Sequence, residues 1–165
     1  MDIIEIITRL GIAVLLGGLV GVERTLAGKA AGMRTYALVS MGSAMFVMIS
    51  TDVYNILALD TSFDPLRMAS QIVVGIGFIG AGLVVYNNNK TSGLTSAAGL
   101  WVAAAIGMAC GFALYNMAMV ATVITILVFT VMWKLEHFLA HYGYNMGIKK
   151  DHPDGDCREE NGARR

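Results

Sequence analysis

The run Gly17–Tyr36, GGLVGVERTLAGKAAGMRTY, decides how the rest of the chain is read. An apolar, glycine-bearing stretch ends at Glu23-Arg24, Lys29 and Arg34 follow, and the chain then turns apolar again. A surface loop of a soluble enzyme and a turn between two membrane spans both fit this fragment alone. What lies on either side of it separates them.

Of the 165 residues, 56% are hydrophobic and 15% charged, with a mean hydropathy of +0.62. Soluble domains carry about 25% charged residues, so this chain lacks solubilising surface. Two prolines and 19 glycines fit a helical membrane protein, in which glycine permits close helix contact. The net charge is zero, which gives no basic excess for nucleic acid. The first apolar stretch has neither a basic leader nor a small-residue cleavage site, and is expected to stay as an anchor.

Working outward, five apolar stretches approach the roughly 20 residues that span a bilayer core. They lie at about Ile4–Val22, Arg34–Val53, Pro65–Tyr86, Leu94–Ala113 and Tyr115–Phe138. Unpaired backbone groups are costly in lipid and no period-two alternation is present, so all five read as helices. Gly111 and Asn116 are the turn signals between the last two. The expectation is an all-α, polytopic membrane protein with a transmembrane domain over 1–141 and a polar tail over 142–165, the tail lacking the periodicity to form a core.

Charge sets the orientation. The first connection holds Arg24, Lys29 and Arg34, the third Lys90, and the tail Lys149, Lys150, Arg158, Arg164 and Arg165. The second carries Asp60 and Asp64 without a base. Basic connections stay in the cytoplasm, so the N-terminus is expected outside and the tail inside. Cys110 then lies in a span and Cys157 in the tail, which argues against a disulfide between them. No repeat with the inverted symmetry of many transporters is present.

Ionisable and polar residues at membrane depth are costly and therefore informative. Glu5 and Arg9, one helical turn apart, can pair, or Arg9 can reach the headgroups. Glu23 can pair with Arg24, Lys29 or Arg34, or give an oxygen to a hydrated Mg²⁺, which keeps several waters. Asp64 before Pro65 suits a helix N-cap and is the second carboxylate placed to meet a metal. Arg67 and Gln71 follow on the same helix; capping does not explain Gln71. Thr91, Ser92, Thr95 and Ser96 form a polar cluster at the start of the fourth span, for which capping covers Thr91 and Ser92 better than Thr95. The candidates for an ion or polar site are Glu23, Asp64, Gln71 and Thr95.

Small residues form stripes: Gly17 and Gly21 in the first span, Gly75, Gly77, Gly80 and Gly82 in the third, and Gly99, Ala103, Gly107 and Gly111 in the fourth. Close packing within the bundle is their expected role, with an oligomer interface or a solute path as alternatives. His137 and His141 have the spacing of helix-borne zinc ligands, but Glu136 precedes the first histidine and no third ligand follows. DHPDGDC, residues 151–157, lacks a complete calcium-loop pattern. With no phosphate loop, nucleophile elbow or nucleophile–base pair, an enzyme is not expected, and no cofactor is implied beyond Mg²⁺.

Three segments, GGLVGVERTLAGKAAGMRTYALVSMGSAMF, DPLRMASQIVVGIGFIGAG and GLTSAAGLWVAAAIG, together resemble the MgtC/SapB family of bacterial membrane proteins. The residues carrying the resemblance are Glu23, Arg24, Gly32, Arg34 and Thr35, then Asp64, Arg67, Gln71 and Gly75–Gly82, then Thr95 and Trp101. Gly99 departs from the larger residue usual there. The resemblance implies a short form without the C-terminal ACT-like domain many members carry. It implies an inner-membrane protein tied to growth in low magnesium, and in pathogens to survival in macrophages. The better-known members are thought to act on other membrane machinery, including ATP synthase. Three functions follow as expectations: a regulator of ion homeostasis, a transporter or channel for Mg²⁺ or a related solute, and an oligomeric scaffold. Partners expected are the bilayer, further copies of the chain and other membrane proteins.

Overall fold

A computed structural model of the chain describes residues 1–57, 64, 66–87 and 90–145. In chain order it contains α1 (Ile3–Leu26), α2 (Met33–Leu57), α3 (Leu66–Leu83), the strands β1 (Val85–Asn87) and β2 (Lys90–Ser92), α4 (Leu94–Gly111) and α5 (Tyr115–Asn145). All five helices are long and apolar enough to cross a membrane, so the chain is a multi-pass helical membrane protein.

α4 is the hub and packs against each of the other four helices. It bears no charged residue and buries Ser96, Leu100, Ala104, Ile106 and Cys110 on several faces, as a helix surrounded by protein should. α1 runs antiparallel to α2, and α2 runs parallel beside α4. Small residues set the spacing. A Cβ on Gly107 would lie 2.0 Å from the Ser40 carbonyl oxygen, and one on Gly17 2.5 Å from the Ser40 Cβ. One on Gly21 would lie 2.6 Å from the Met33 Cα, and one on Gly111 2.7 Å from the Ala44 carbonyl. α2 is thus clasped between α1 and α4 at backbone contact, where dispersion replaces the hydrophobic drive that lipid does not supply.

Several boundaries differ from the sequence reading. α1 continues past Val22 to Leu26, which takes Arg24 out of the expected loop and into the last helical turn. The span expected over Pro65–Tyr86 ends as a helix at Leu83. Val85, Tyr86 and Asn87 instead pair antiparallel with Ser92, Thr91 and Lys90. Thr91 and Ser92 therefore lie in a strand rather than capping α4, whose N-cap is Gly93. Gly93 has φ +88°, and a Cβ there would meet the Leu83 carbonyl oxygen at 2.1 Å, so only glycine fits.

The turn between α4 and α5 forms at Ala113 rather than at Gly111 or Asn116. Gly111 is the last packed residue of α4 and Asn116 already belongs to α5. Leu114 N–H donates to the Ala109 carbonyl at 2.8 Å and Ala113 N–H to the Cys110 carbonyl at 3.0 Å, the two bonds of a Schellman cap, with Ala113 at φ 61°. α5 runs on past Phe138 to Asn145. Cys110 is a buried free thiol. The remainder of the expected tail, with Cys157 and the 151–157 segment, lies outside the described residues.

Candidate functional site

Arg24 comes first because its charge is buried: the residue is 3% exposed. A guanidinium withdrawn from water needs compensation for its donors and its charge. Nε donates to Glu23 Oε2, and the guanidinium carbon stands 3.8 Å from the centroid of the Phe129 ring, a cation–π stack. Glu23 is about one-fifth exposed and engages Arg24 through a single oxygen. Of the three partners open to Glu23 in the sequence, the fold selects its neighbour Arg24. Lys29 and Arg34 make no ion pair with it among the described residues.

Phe129 leads on to Tyr36. A Cβ on Gly99 would lie 2.3 Å from the Tyr36 hydroxyl oxygen and 2.7 Å from Phe129 Cζ, so Gly99 is the notch in which the two rings meet. The fully buried Tyr36 hydroxyl donates to the Ser96 carbonyl at 3.1 Å, in the first turn of α4. The loop following Arg24 is equally fixed. The Thr25 hydroxyl donates to the Gly21 carbonyl at 3.0 Å and accepts the Met33 N–H at 2.9 Å, which caps α2 from α1. A Cβ on Gly32 would stand 2.5 Å from that hydroxyl. One end of the bundle is therefore a single assembly of Glu23, Arg24, Thr25, Gly32, Tyr36, Ser96, Gly99 and Phe129.

The opposite end carries a second charged group. Arg9 Nη2 donates to Glu5, the pairing expected from their spacing. Its Nη1 donates to the Gly111 carbonyl at 2.5 Å, where α4 ends, and Nε is buried without a partner among the described residues. A cation at the negative end of a helix dipole is favourably placed. Glu5, Arg9, Thr51, Asp52 and Asn55 line an open cleft of about 580 Å³ there.

The four polar candidates from the sequence are not brought together. Glu23 and Thr95 lie at the Arg24 end, Thr95 with its side chain exposed. Asp64 and Gln71 lie toward the Arg9 end and are also exposed. Asp64 Oδ1 accepts the Leu66 N–H at 2.9 Å and its carbonyl accepts the Arg67 N–H at 3.0 Å, the expected cap. Arg34 and Arg67 are exposed, Thr35 half-buried, and Trp101 presents 53% of its surface outward. Around Gly75, Gly77 and Gly82 there is open space, whereas Gly80 rests on Ala97. His137 packs on Trp133 with ring centroids 4.4 Å apart; the His141 side chain lies outside the described residues. No group of three or more His, Cys, Asp or Glu side chains suited to a metal ion occurs among the described residues.

Residues 10–138 match the profile of the MgtC family. The chain is 42% identical over 146 residues to the "Putative magnesium transporter YhiD" of Escherichia coli, a match covering 87% of this chain and 68% of that protein. It is 42% identical over 135 residues to "Protein MgtC" of Brucella abortus, covering 82% of this chain and 54% of that one. To "Protein SrpB" of Synechococcus elongatus it is 37% identical over 140 residues, covering 78% and 75%. No solved structure matches significantly.

Proposed function

The chain belongs to the MgtC family, and from this premise we propose that it supports magnesium homeostasis and growth in low magnesium from the bacterial inner membrane, by regulating other membrane machinery. The observation that carries the reading is the assembly around Arg24. The family-motif residues Glu23, Arg24, Gly32 and Thr35 lie in or beside a packed helix junction with a single carboxylate about one-fifth exposed, and not in a convergent set of ligands. Such a junction fixes the relative positions of α1, α2, α4 and α5, and so presents a defined surface to a neighbouring protein. ATP synthase is a target of the kind this reading supplies. Tagged protein solubilised in several mild detergents should return with a specific membrane complex; recovery of the protein alone each time counts against regulation.

One relative's description as a putative magnesium transporter favours a second reading, passage of Mg²⁺ or a related solute. Mg²⁺ keeps most of its waters and needs only one or two carboxylates, so Glu23, or Asp64 at the other end, is the direct contact such a route offers. Purified protein in liposomes separates the two readings: cation-dependent flux above empty vesicles supports transport, and none leaves regulation. The same proposal sets the orientation, with the Arg24 end, Lys29, Arg34 and Lys90 in the cytoplasm and the Glu5–Asp52 end outside. A cysteine at Gly28, exposed in the α1–α2 connection, should react with impermeant label only after the membrane is opened.

A further inference from the structure

α3 is the least enclosed of the five helices. Only Ile76 and Gly80 are buried on it, with Ile72 and Leu83 partly so, and these define the side that rests on α4. Turned away from α4, Gln71, Gly75, Phe78 and Gly82 recur at helical spacing and form one exposed stripe, with Gln71 and Gly75 on the side toward α2. Phe78 is 85% exposed, and Gly75 and Gly82 on either side of it leave open space where a Cβ would stand. Gln71 lies within the span and makes no hydrogen bond among the described residues. Its amide has two donors and an acceptor that hydrocarbon cannot satisfy. Beside the stripe, Leu38, Phe46, Met68, Gln71, Ile72 and Ile79 border a groove of about 500 Å³ between α2 and α3.

We propose that this face pairs two copies of the chain, α3 against α3, about a two-fold axis normal to the membrane. Two features single out a second copy. A carboxamide carries donor and acceptor together and is self-complementary, so two Gln71 side chains facing each other across the axis exchange the hydrogen bonds that lipid withholds, which an apolar partner surface does not. A knob (Phe78) also lies next to a groove on the same face, and a two-fold operation places each knob at the other's groove, as an isologous interface requires. The glycines beside Phe78 let the two backbones approach. A lipid chain could fill the groove but offers nothing to the amide.

The test is disulfide scanning in native membranes, in a Cys110→Ala, Cys157→Ser background, with single cysteines at 71, 75, 78 and 82 and controls at 76 and 80. Oxidation should give a band of twice the 17.6 kDa chain mass from the outward positions, and at least five-fold less from the controls. As a second measurement, two differently tagged copies should co-purify, with a several-fold loss in Gln71→Leu and in Gly75→Ile. Folding of those variants is checked by their thermal unfolding as detergent-solubilised protein. No dimer band from any outward position, equal bands from the controls, adducts only with other proteins, or undiminished co-purification of Gln71→Leu each overturn the pairing.

Discussion

The guanidinium of Arg24 lies on the face of Phe129, 3.8 Å from carbon to ring centroid, and so joins the end of α1 to the middle of α5. Three changes separate what holds it there. Phe129→Leu keeps an apolar side chain, though a smaller one, and loses the stack, worth about 0.5–2 kcal/mol. Arg24→Lys loses the planar group that pairs sideways with Glu23 while stacking, and should cost at least as much. Glu23→Gln leaves a buried charge without its counter-ion and should cost most, about 3 kcal/mol. Thermal unfolding of detergent-solubilised protein should rank them in that order. If Glu23→Gln proves the mildest of the three, the carboxylate does not stabilise the cluster and is free for another task.

The glycines divide into those that meet backbone and those that do not. Gly107→Ala sets a methyl against the Ser40 carbonyl, 2.0 Å away, where no side-chain rotation can relieve it. Overpacking of this kind costs about 1–3 kcal/mol, and here α2 must move away from α4. Gly77→Ala enters open space and gains about 1 kcal/mol of helix propensity. Monodisperse yield on size exclusion should therefore fall for Gly107→Ala and hold or rise for Gly77→Ala. Equal losses at both positions would mean that Gly107 does not set the α2–α4 distance.

The number of helices and their approximate limits were legible because hydrophobicity, backbone satisfaction and turn residues all pointed the same way. The Arg24 assembly was legible only in part. Glu23, Arg24 and Gly32 stood out as a motif, yet the rule that reads basic residues as loop markers placed Arg24 outside the helix. Its burial depends on Phe129, more than a hundred residues along the chain and one apolar residue among many in α5. Tyr36 and Ser96 were hidden for the same reason: their contact is long-range and made through a backbone carbonyl, which carries no side-chain signature. The Gly99–Gly107–Gly111 stripe was visible from its period, but the period does not say which helix it meets. In α3 the same signal accompanies a face that, Gly80 apart, meets open space among the described residues.

Ala113 closes α4 with φ 61°, a backbone region that costs an alanine about 1 kcal/mol. The Schellman cap it forms ordinarily holds glycine. Ala113→Gly should therefore raise thermal stability by up to about 1 kcal/mol, less the extra freedom glycine has in the unfolded turn. Differential scanning fluorimetry on the two proteins under identical conditions reads the sign. A lower melting temperature in Ala113→Gly would show that the methyl contributes more to packing than the dihedral costs.

Arg9 has two partners, and their contributions can be told apart. Glu5 is 41% exposed on its side chain, so water solvates it when the pair is lost, and Glu5→Gln should cost less than about 1 kcal/mol. The Gly111 carbonyl is different. It ends the most enclosed helix of the bundle, residue 111 is buried, and the charge-assisted bond from Nη1 reaches it at 2.5 Å. Without that donor a buried acceptor is left bare at the negative end of α4, a loss of about 2–3 kcal/mol. Arg9→Met retains the apolar stem and removes the donors, so it isolates the polar term. It should destabilise at least twice as much as Glu5→Gln in thermal unfolding, and adding Glu5→Gln to Arg9→Met should change little more. If the two single variants are equal and the double variant equals either, the helix-end bond contributes nothing and the surface pair accounts for Arg9.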